Sequence, residues 1–275
     1  MRRIVGVHGV RNWDRDRDPP AAARALAQRW GAALAQGLGT DVDWRVDMAY
    51  YAHRLRVEIG QGIEDPYTLD RELQEQLGVW AQALPLEVEV DHGGMTLPVR
   101  QAIERLATYS KLNRMVIEPF VAVALREVHT YFRNRRARLA ARAEVADAID
   151  RTGATIVLAH SLGSVIAYET LLAEPDLNVD LLVTMGSPLG MPGVVFERLE
   201  PSGAHARPLP NVARWVNVAD RGDIVAIPRG LHTIFPGIAR DAEVTIGAIA
   251  FHEVERYLRT NQVAEEVAGV PATTT

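Results

Sequence analysis

The sequence predicts an α/β fold built on a doubly wound, mostly parallel sheet. Short apolar runs rich in β-branched residues recur at 3–8, 42–50, 155–159, 180–186, 214–218 and 243–247. Most of these runs are continuous rather than alternating, as expected of strands buried on both faces. Between them lie helical patterns at 21–36, 162–173 and 251–259, and alternation of strand and helix implies right-handed crossovers. With 275 residues, 48% hydrophobic and 24% charged, the chain can bury one large core. A single domain over 1–262 is therefore expected, with 263–275, ending Pro271-Ala272-Thr273-Thr274-Thr275, as a frayed tail.

The interval 51–151 is far longer than the dozen or so residues a parallel crossover needs. Helices are expected at 67–83, at 98–110 and from about Pro119, where Val121, Leu125, Val128 and Phe132 fall at helical spacing. Glu87-Val88-Glu89-Val90-Asp91 alternates like a short strand, and His92-Gly93-Gly94 reads as its turn. An insertion between the second and third central strands would lie beside the carboxyl edge of the sheet, where such folds bind ligands. A helical insertion forming a partial lid is the expectation, against the plainer alternative of helices packed on the sheet's flank. Arg133, Arg135, Arg136, Arg138 and Arg142 read as a solvated helix face paired with Glu144 or Asp147.

Composition narrows the function classes. A formal net charge of −5 argues against general affinity for nucleic acid. With no cysteine there is neither a disulfide framework nor a thiolate site. The amino terminus lacks the apolar core and cleavage site of a signal peptide. The longest uncharged stretch, 181–196, is broken by glycine and proline and is too short to span a bilayer. A cytoplasmic protein without a transmembrane segment is expected, its oligomeric state left open. Asp14, Asp16 and Asp18 alternate like the start of a calcium loop, but Pro19 and Ala25 stand where that loop needs glycine and glutamate, and no metal is expected.

The most informative stretch is Thr155-Ile156-Val157-Leu158-Ala159-His160-Ser161-Leu162-Gly163-Ser164, an apolar strand that breaks at a serine and restarts with helical spacing. A serine at a sharp strand-to-helix turn has a strained backbone that is tolerated only between small neighbours, here Ala159 and Gly163. The turn exposes the hydroxyl above the sheet, and the following helix aims N–H groups and its positive dipole end at the same place. Ser161 is thus the candidate nucleophile. The commoner role of such a serine, a helix N-cap, does not call for the strand before it.

A serine nucleophile needs a base, and the base needs a carboxylate to fix its tautomer. The acid should follow a strand downstream of the serine, and the run 214–219 leads into Asp220-Arg221-Gly222-Asp223-Ile224-Val225. Asp223 is the choice because the Ile-Val pair can anchor its loop and bury the carboxylate. Asp220 is the alternative acid, and the one not used is expected to serve a turn. Chain order leaves His205, His232 and His252 as bases, and His252 is favoured because it follows the last strand-like run and opens the final helical stretch. The oxyanion donors are expected to be the amides of Leu162, the residue after the nucleophile, and of Val10 in His8-Gly9-Val10-Arg11. His8, His160, Ser187 and His232 are candidate pocket residues. His8 is alternatively a buried brace for its loop, and Pro188 disqualifies Ser187 as a nucleophile because it offers no amide.

These residues resemble the α/β-hydrolase superfamily and, within it, lipase-like members. His8-Gly9 resembles the oxyanion loop of small bacterial lipases. Thr184-Met185-Gly186-Ser187-Pro188-Leu189-Gly190 with Asp223-Ile224-Val225-Ala226-Ile227-Pro228 is similar to the segments around the catalytic aspartate of class 3-type lipases, which supports Asp223. The setting of His252, with Tyr257-Leu258 behind it, also resembles theirs. The resemblance implies a cofactor-independent serine hydrolase with an acyl-enzyme intermediate, acting on a small-molecule acyl ester or lipid-like substrate. An amidase or peptidase with the same triad, or a non-catalytic ligand-binding protein on the same scaffold, is the alternative. The resemblance covers the sheet and the site-bearing loops and says little of 51–151.

Overall fold

The computed structural model describes residues 1–38, 43–56, 62–86, 97–201, 206–247 and 252–271. In chain order its elements are β1 (Arg2–Val7), α1 (Pro19–Leu38), β2 (Trp44–Ala49), α2 (Arg71–Gln82), α3 (Val99–Ser110), α4 (Arg114–Arg133), α5 (Arg135–Thr152), β3 (Ile156–His160), α6 (Leu162–Ala173), β4 (Leu181–Met185), β5 (Trp215–Asp220), β6 (Ile238–Val244), α7 (Val254–Leu258) and α8 (Asn261–Gly269). The six strands form one all-parallel sheet in the order β2-β1-β3-β4-β5-β6, with helices on both faces.

Strand period two sorts the core into two layers. Ile4, Ile156, Leu158, Leu181, Val183, Val216 and Val218 point to one face and pack with Leu26, Trp30, Leu34, Tyr257 and Val263 of α1, α7 and α8. Val5, Val7, Val157, Ala159, Leu182 and Trp215 point to the other, with residues of α2 through α6. Burial on both sides is why β3, β4 and β5 contain almost no charge and read as continuous apolar runs. β2 and β6 close the sheet. They carry Arg45 paired with Asp47 on one side, and Arg240, Asp241 and Glu243 on the other, with Glu243 paired to Arg221.

Chain direction fixes where a site can form. From β1 the chain crosses to β2 on one side, and from β3 it crosses to β4 on the other. Because right-handed crossovers in opposite directions lie on opposite faces, the loops after β1 and β3 part company. The carboxyl ends of those two neighbouring strands are thus the switch point at which open α/β sheets bind ligands. His8–Arg11 and Ser161 follow those two strand ends.

Within the long interval, α5 packs along β1, β2 and α6 and so flanks the sheet. By contrast α2, α3 and α4 reach the loops beyond the carboxyl ends of the strands. Trp80 Nε1 donates to Ile224 O (2.6 Å), Tyr109 Oη to Arg221 O (3.2 Å), and the Arg11 N–H donates to Glu127 (3.0 Å). Among the described residues, no helix is long and apolar enough to cross a membrane.

Several expectations are corrected. The helix expected from Pro119 begins at Arg114, because the Asn113 side chain caps it by accepting from the Met115 N–H at 2.9 Å. Pro119 is tolerated because the carbonyl it leaves without a donor belongs to Met115, which is 80% exposed and open to water. The last strand runs over Ile238–Val244 rather than 243–247; at the sheet's edge it is half-exposed and polar, so its pattern is not apolar. The expected frayed tail from 263 is instead largely α8, capped by Thr260, with Val263 and Val267 buried and the Arg2 guanidinium donating to Val270 O and Ala268 O. Arg138 is not on a solvated face: it is buried between α5 and α6, bound to Glu169, which also accepts from Tyr131 Oη and the Glu200 N–H. The strand and turn expected at 87–94, and His205, lie outside the described residues.

Candidate functional site

The turn between β3 and α6 places Ser161 at φ 54° and ψ −131°, a region that costs a non-glycine residue on the order of 1–3 kcal/mol. The turn is held from both sides. The Ser161 N–H donates to Met185 O at the end of β4 (3.0 Å). Its carbonyl accepts from the Ser164 hydroxyl (2.6 Å), Ser187 donates to Ser164 (2.7 Å), and the Leu189 N–H donates to Ser187 (3.3 Å). Since each hydroxyl has one proton, the Leu189-Ser187-Ser164-Ser161 order is the only one that satisfies every link. Ser187 thus braces the turn and is not an open pocket residue, a role that no local pattern announces.

Gly163 shows why the turn needs glycine two residues after the serine. A Cβ there would stand 2.3 Å from both Val7 O and His8 O. Without one, α6 starts directly against the end of β1, and the Leu162 and Gly163 N–H groups that open it have no intrahelical acceptor. The loop after β1 then lies on Ser161: a Cβ built on Gly9 would be 2.6 Å from Ser161 Cβ and 3.2 Å from Ser161 Oγ.

Asp223 and His252 meet at the adjoining strand end. His252 Nδ1 donates to Asp223 Oδ2 at 2.7 Å, and Asp223 is fully buried. The pair abuts Gly186, the residue after Met185: a Cβ there would be 2.8 Å from Asp223 Oδ2 and 3.0 Å from His252 Nδ1. Asp223 Oδ1 accepts from the Val225 N–H (2.8 Å), which is how the apolar pair after it anchors the carboxylate. Tyr257 Oη donates to Asp223 Oδ2 (2.7 Å) and accepts from the Asp220 N–H (2.9 Å). Burial pushes the Asp223 carboxyl up, but the His252 charge and the hydrogen bonds from His252, Tyr257 and Val225 outweigh it, leaving its pKa below the usual value. Burial and the Asp223 charge push Tyr257 well up, so it remains a donor.

The two aspartates differ in their partners: Asp223, not Asp220, is the one bonded to His252. Asp220 accepts from the Gly222 and Ile246 amides (3.0 and 2.9 Å) and so closes a turn and ties down the chain after β6. His232 does not join the group. It is more than half exposed and bonds Asp241 in the middle of β6.

Four other described imidazoles are held toward the neutral form by burial. His8 donates from Nδ1 to Gly9 O (2.8 Å) and accepts at Nε2 from the Tyr51 N–H (3.2 Å), while Tyr51 Oη donates to His8 O. Burial takes its pKa down to about 4, so it braces the loop as a neutral group. His160 lies 4.5 Å, ring to ring, from His252, and burial plus the His252 charge put its pKa well below the usual value. Burial lowers His53 and His129 as well. All four shifts have one sign: the unfolded chain binds protons that the fold excludes, so the histidines' contribution to stability is full above pH ~6.5 and falls as the pH drops toward the folded values. His8 alone accounts for on the order of 3 kcal/mol across that window. Burial also raises the Glu127 carboxyl to about 7, which acts in the opposite sense over the same window, so the histidine effect is read in a Glu127→Gln variant, whose urea midpoint should fall from pH 7 to 4.5; a flat profile there would contradict the neutral assignments.

Two features of the site had no sequence signal. Phe120 of α4 lies edge-on to the His252 ring at 5.4 Å, and Arg11 and His252 join Ser161 in adopting positive φ. His252 Nε2 is buried without a hydrogen-bond partner, and no Ser161–His252 hydrogen bond closes across the gap. Ser161 is 2% exposed and His252 7%. The cavity of about 950 Å³ between α1, β2 and α5, bordered by Trp44, Arg54 and Glu144, contains none of these residues. Among the described residues, no group of three or more His, Asp or Glu is arranged to hold a metal ion. An imidazole with Nδ1–H on a buried carboxylate keeps its Nε2 lone pair for a proton. Compared with known proteins, the chain matches no family model, no curated protein and no solved structure.

Proposed function

We propose that the protein is a serine hydrolase of α/β-hydrolase type acting by acyl transfer. The observation that carries this reading is the buried Asp223–His252 pair, whose unpartnered Nε2 sits at the strand ends that hold the strained Ser161 turn. Ser161 attacks an acyl carbonyl, and His252 takes its proton and returns it to the leaving alcohol. Asp223 fixes the Nδ1–H tautomer and stabilises the imidazolium. The amides of Leu162 and Val10 hold the tetrahedral oxyanion. Water then repeats the sequence on the acyl-enzyme.

The preferred substrate is a carboxylic ester with an apolar acyl or alcohol part. Val10, Phe120, Leu162, Ile224 and Val225 belong to the apolar core on the face of the sheet that α6 covers, and Phe120 lies against the His252 ring, which suits such a substrate. α2, α3 and α4 act as a partial cap, a role supported by their contacts to Arg11, Arg221, Ile224 and His252. A non-catalytic ligand-binding role draws on the 2% exposure of Ser161.

A fluorophosphonate probe separates the two. One adduct per chain, mapped to Ser161, is expected; an unmodified chain or an adduct elsewhere sinks the hydrolase reading. A chain-length series of esters, run beside peptide amides, should show turnover rising with acyl length and none on the amides. The reverse preference assigns an amidase or peptidase.

A further inference from the structure

The loop after β1 is held by more than His8. Asn12 Nδ2 donates to Gly9 O (3.1 Å) and to Val10 O (3.0 Å), and only the amide nitrogen, never the oxygen, can face two carbonyls. Gly9 O also accepts from His8 Nδ1 (2.8 Å). Asn12 is itself secured, because its carbonyl accepts from Tyr50 Oη (2.9 Å), which accepts from the Asp14 N–H (3.0 Å). On the next peptide, the Arg11 N–H donates to Glu127 (3.0 Å), opposite to the Val10 carbonyl that Asn12 holds. Arg11 has a φ of 63°, a conformation a non-glycine residue keeps only when its surroundings enforce it.

These contacts determine a direction. In a trans peptide the C=O and the following N–H are antiparallel. Pinning Gly9 O toward Asn12 and His8 therefore turns the Val10 N–H away from them, on the residue pair whose Gly9 packs against Ser161 Cβ and Oγ. We propose that Asn12 is a positioning residue: its side-chain amide clamps the Gly9 and Val10 carbonyls and thereby presents the Val10 N–H to the oxyanion formed at Ser161. This rests on the hydrolase reading above. A rotated 9–10 peptide would offer a carbonyl to the oxyanion in place of a donor, so the clamp acts on the transition state more than on substrate binding.

The test uses Asn12→Asp and Asn12→Ala in the full chain. Asn12→Asp has the same shape but sets a carboxylate against two carbonyl oxygens. kcat, normalised to the fraction of chains titrated by a fluorophosphonate, should fall about 10- to 100-fold with KM within about twofold. An alkyl boronic acid, whose tetrahedral adduct places an oxygen in the oxyanion position, should lose affinity in step with kcat. The ratio of Asn12→Asp to wild-type kcat should rise as the pH falls into the carboxyl range, because the protonated acid donates again. Unchanged normalised kcat and boronate affinity in both variants would overturn the clamp alone, as would a loss that appears wholly in KM. A wild-type chain that is not labelled at Ser161 removes the hydrolase reading and the inference with it.

Discussion

Ser161→Ala should abolish ester turnover, by on the order of 10⁶-fold where nucleophile, base and acid act as a unit, while leaving the fold standing. The hydroxyl takes no part in the hydrogen bonds that hold its turn. Those run through the Ser161 amide, to Met185 O, and through the Ser161 carbonyl, from Ser164. Removing Oγ therefore leaves the brace intact, and the thermal midpoint should move by no more than a few degrees. Steady-state kinetics on an activated ester, with circular dichroism melts of both proteins, measure the two halves of this expectation. Full activity in the alanine variant would refute the mechanism. Lost activity with a collapsed fold would show that the hydroxyl is structural.

Gly163→Ala should do the opposite and damage the fold first. A Cβ placed 2.3 Å from two backbone carbonyl oxygens cannot be relieved by a side-chain rotation, since Val7 O and His8 O belong to the central strand end and its loop. Either α6 lifts from the sheet or β1 shifts, and α6 is buried over most of its length. A destabilisation of about 3 kcal/mol or more is expected, read as a drop in the urea midpoint with an unchanged slope. On the proposed mechanism any soluble fraction should also show slower labelling of Ser161, because the same displacement moves the Leu162 and Val10 amides. An alanine variant as stable as the wild type would mean that the approach of α6 to β1 is looser than this geometry.

What could be read from the residues was what local rules dictate. The buried strands announce themselves because burial on two faces leaves no room for polar residues, and the Ser161 turn because strand, small neighbours and helix are contiguous. The pairing of Asp223 with His252 followed from chain order and from the apolar pair that anchors the carboxylate. Missing were the long-range contacts whose partners have no sequence relation, Tyr257 on Asp223, Ser187 on Ser164 and Phe120 on His252, and the short-range clamp of Asn12 on the Gly9 and Val10 carbonyls, which no local pattern announces. β6 escaped because an edge strand need not be apolar. α8 escaped because its two turns of valine and alanine lie in an otherwise unpatterned end, and Arg138 because a buried ion pair resembles a surface charge until Glu169 is seen opposite it.

The two outer strands have a consequence for how the molecules behave in a crowd. An exposed strand edge is a template for another chain's backbone. Along β2 the Arg45–Asp47 pair, and along β6 the Arg240, Asp241 and Glu243 side chains, would have to be stripped of water before a seventh strand could be laid down. Fibre-like growth by strand addition is thereby discouraged at both margins, and the sheet ends where its charges begin.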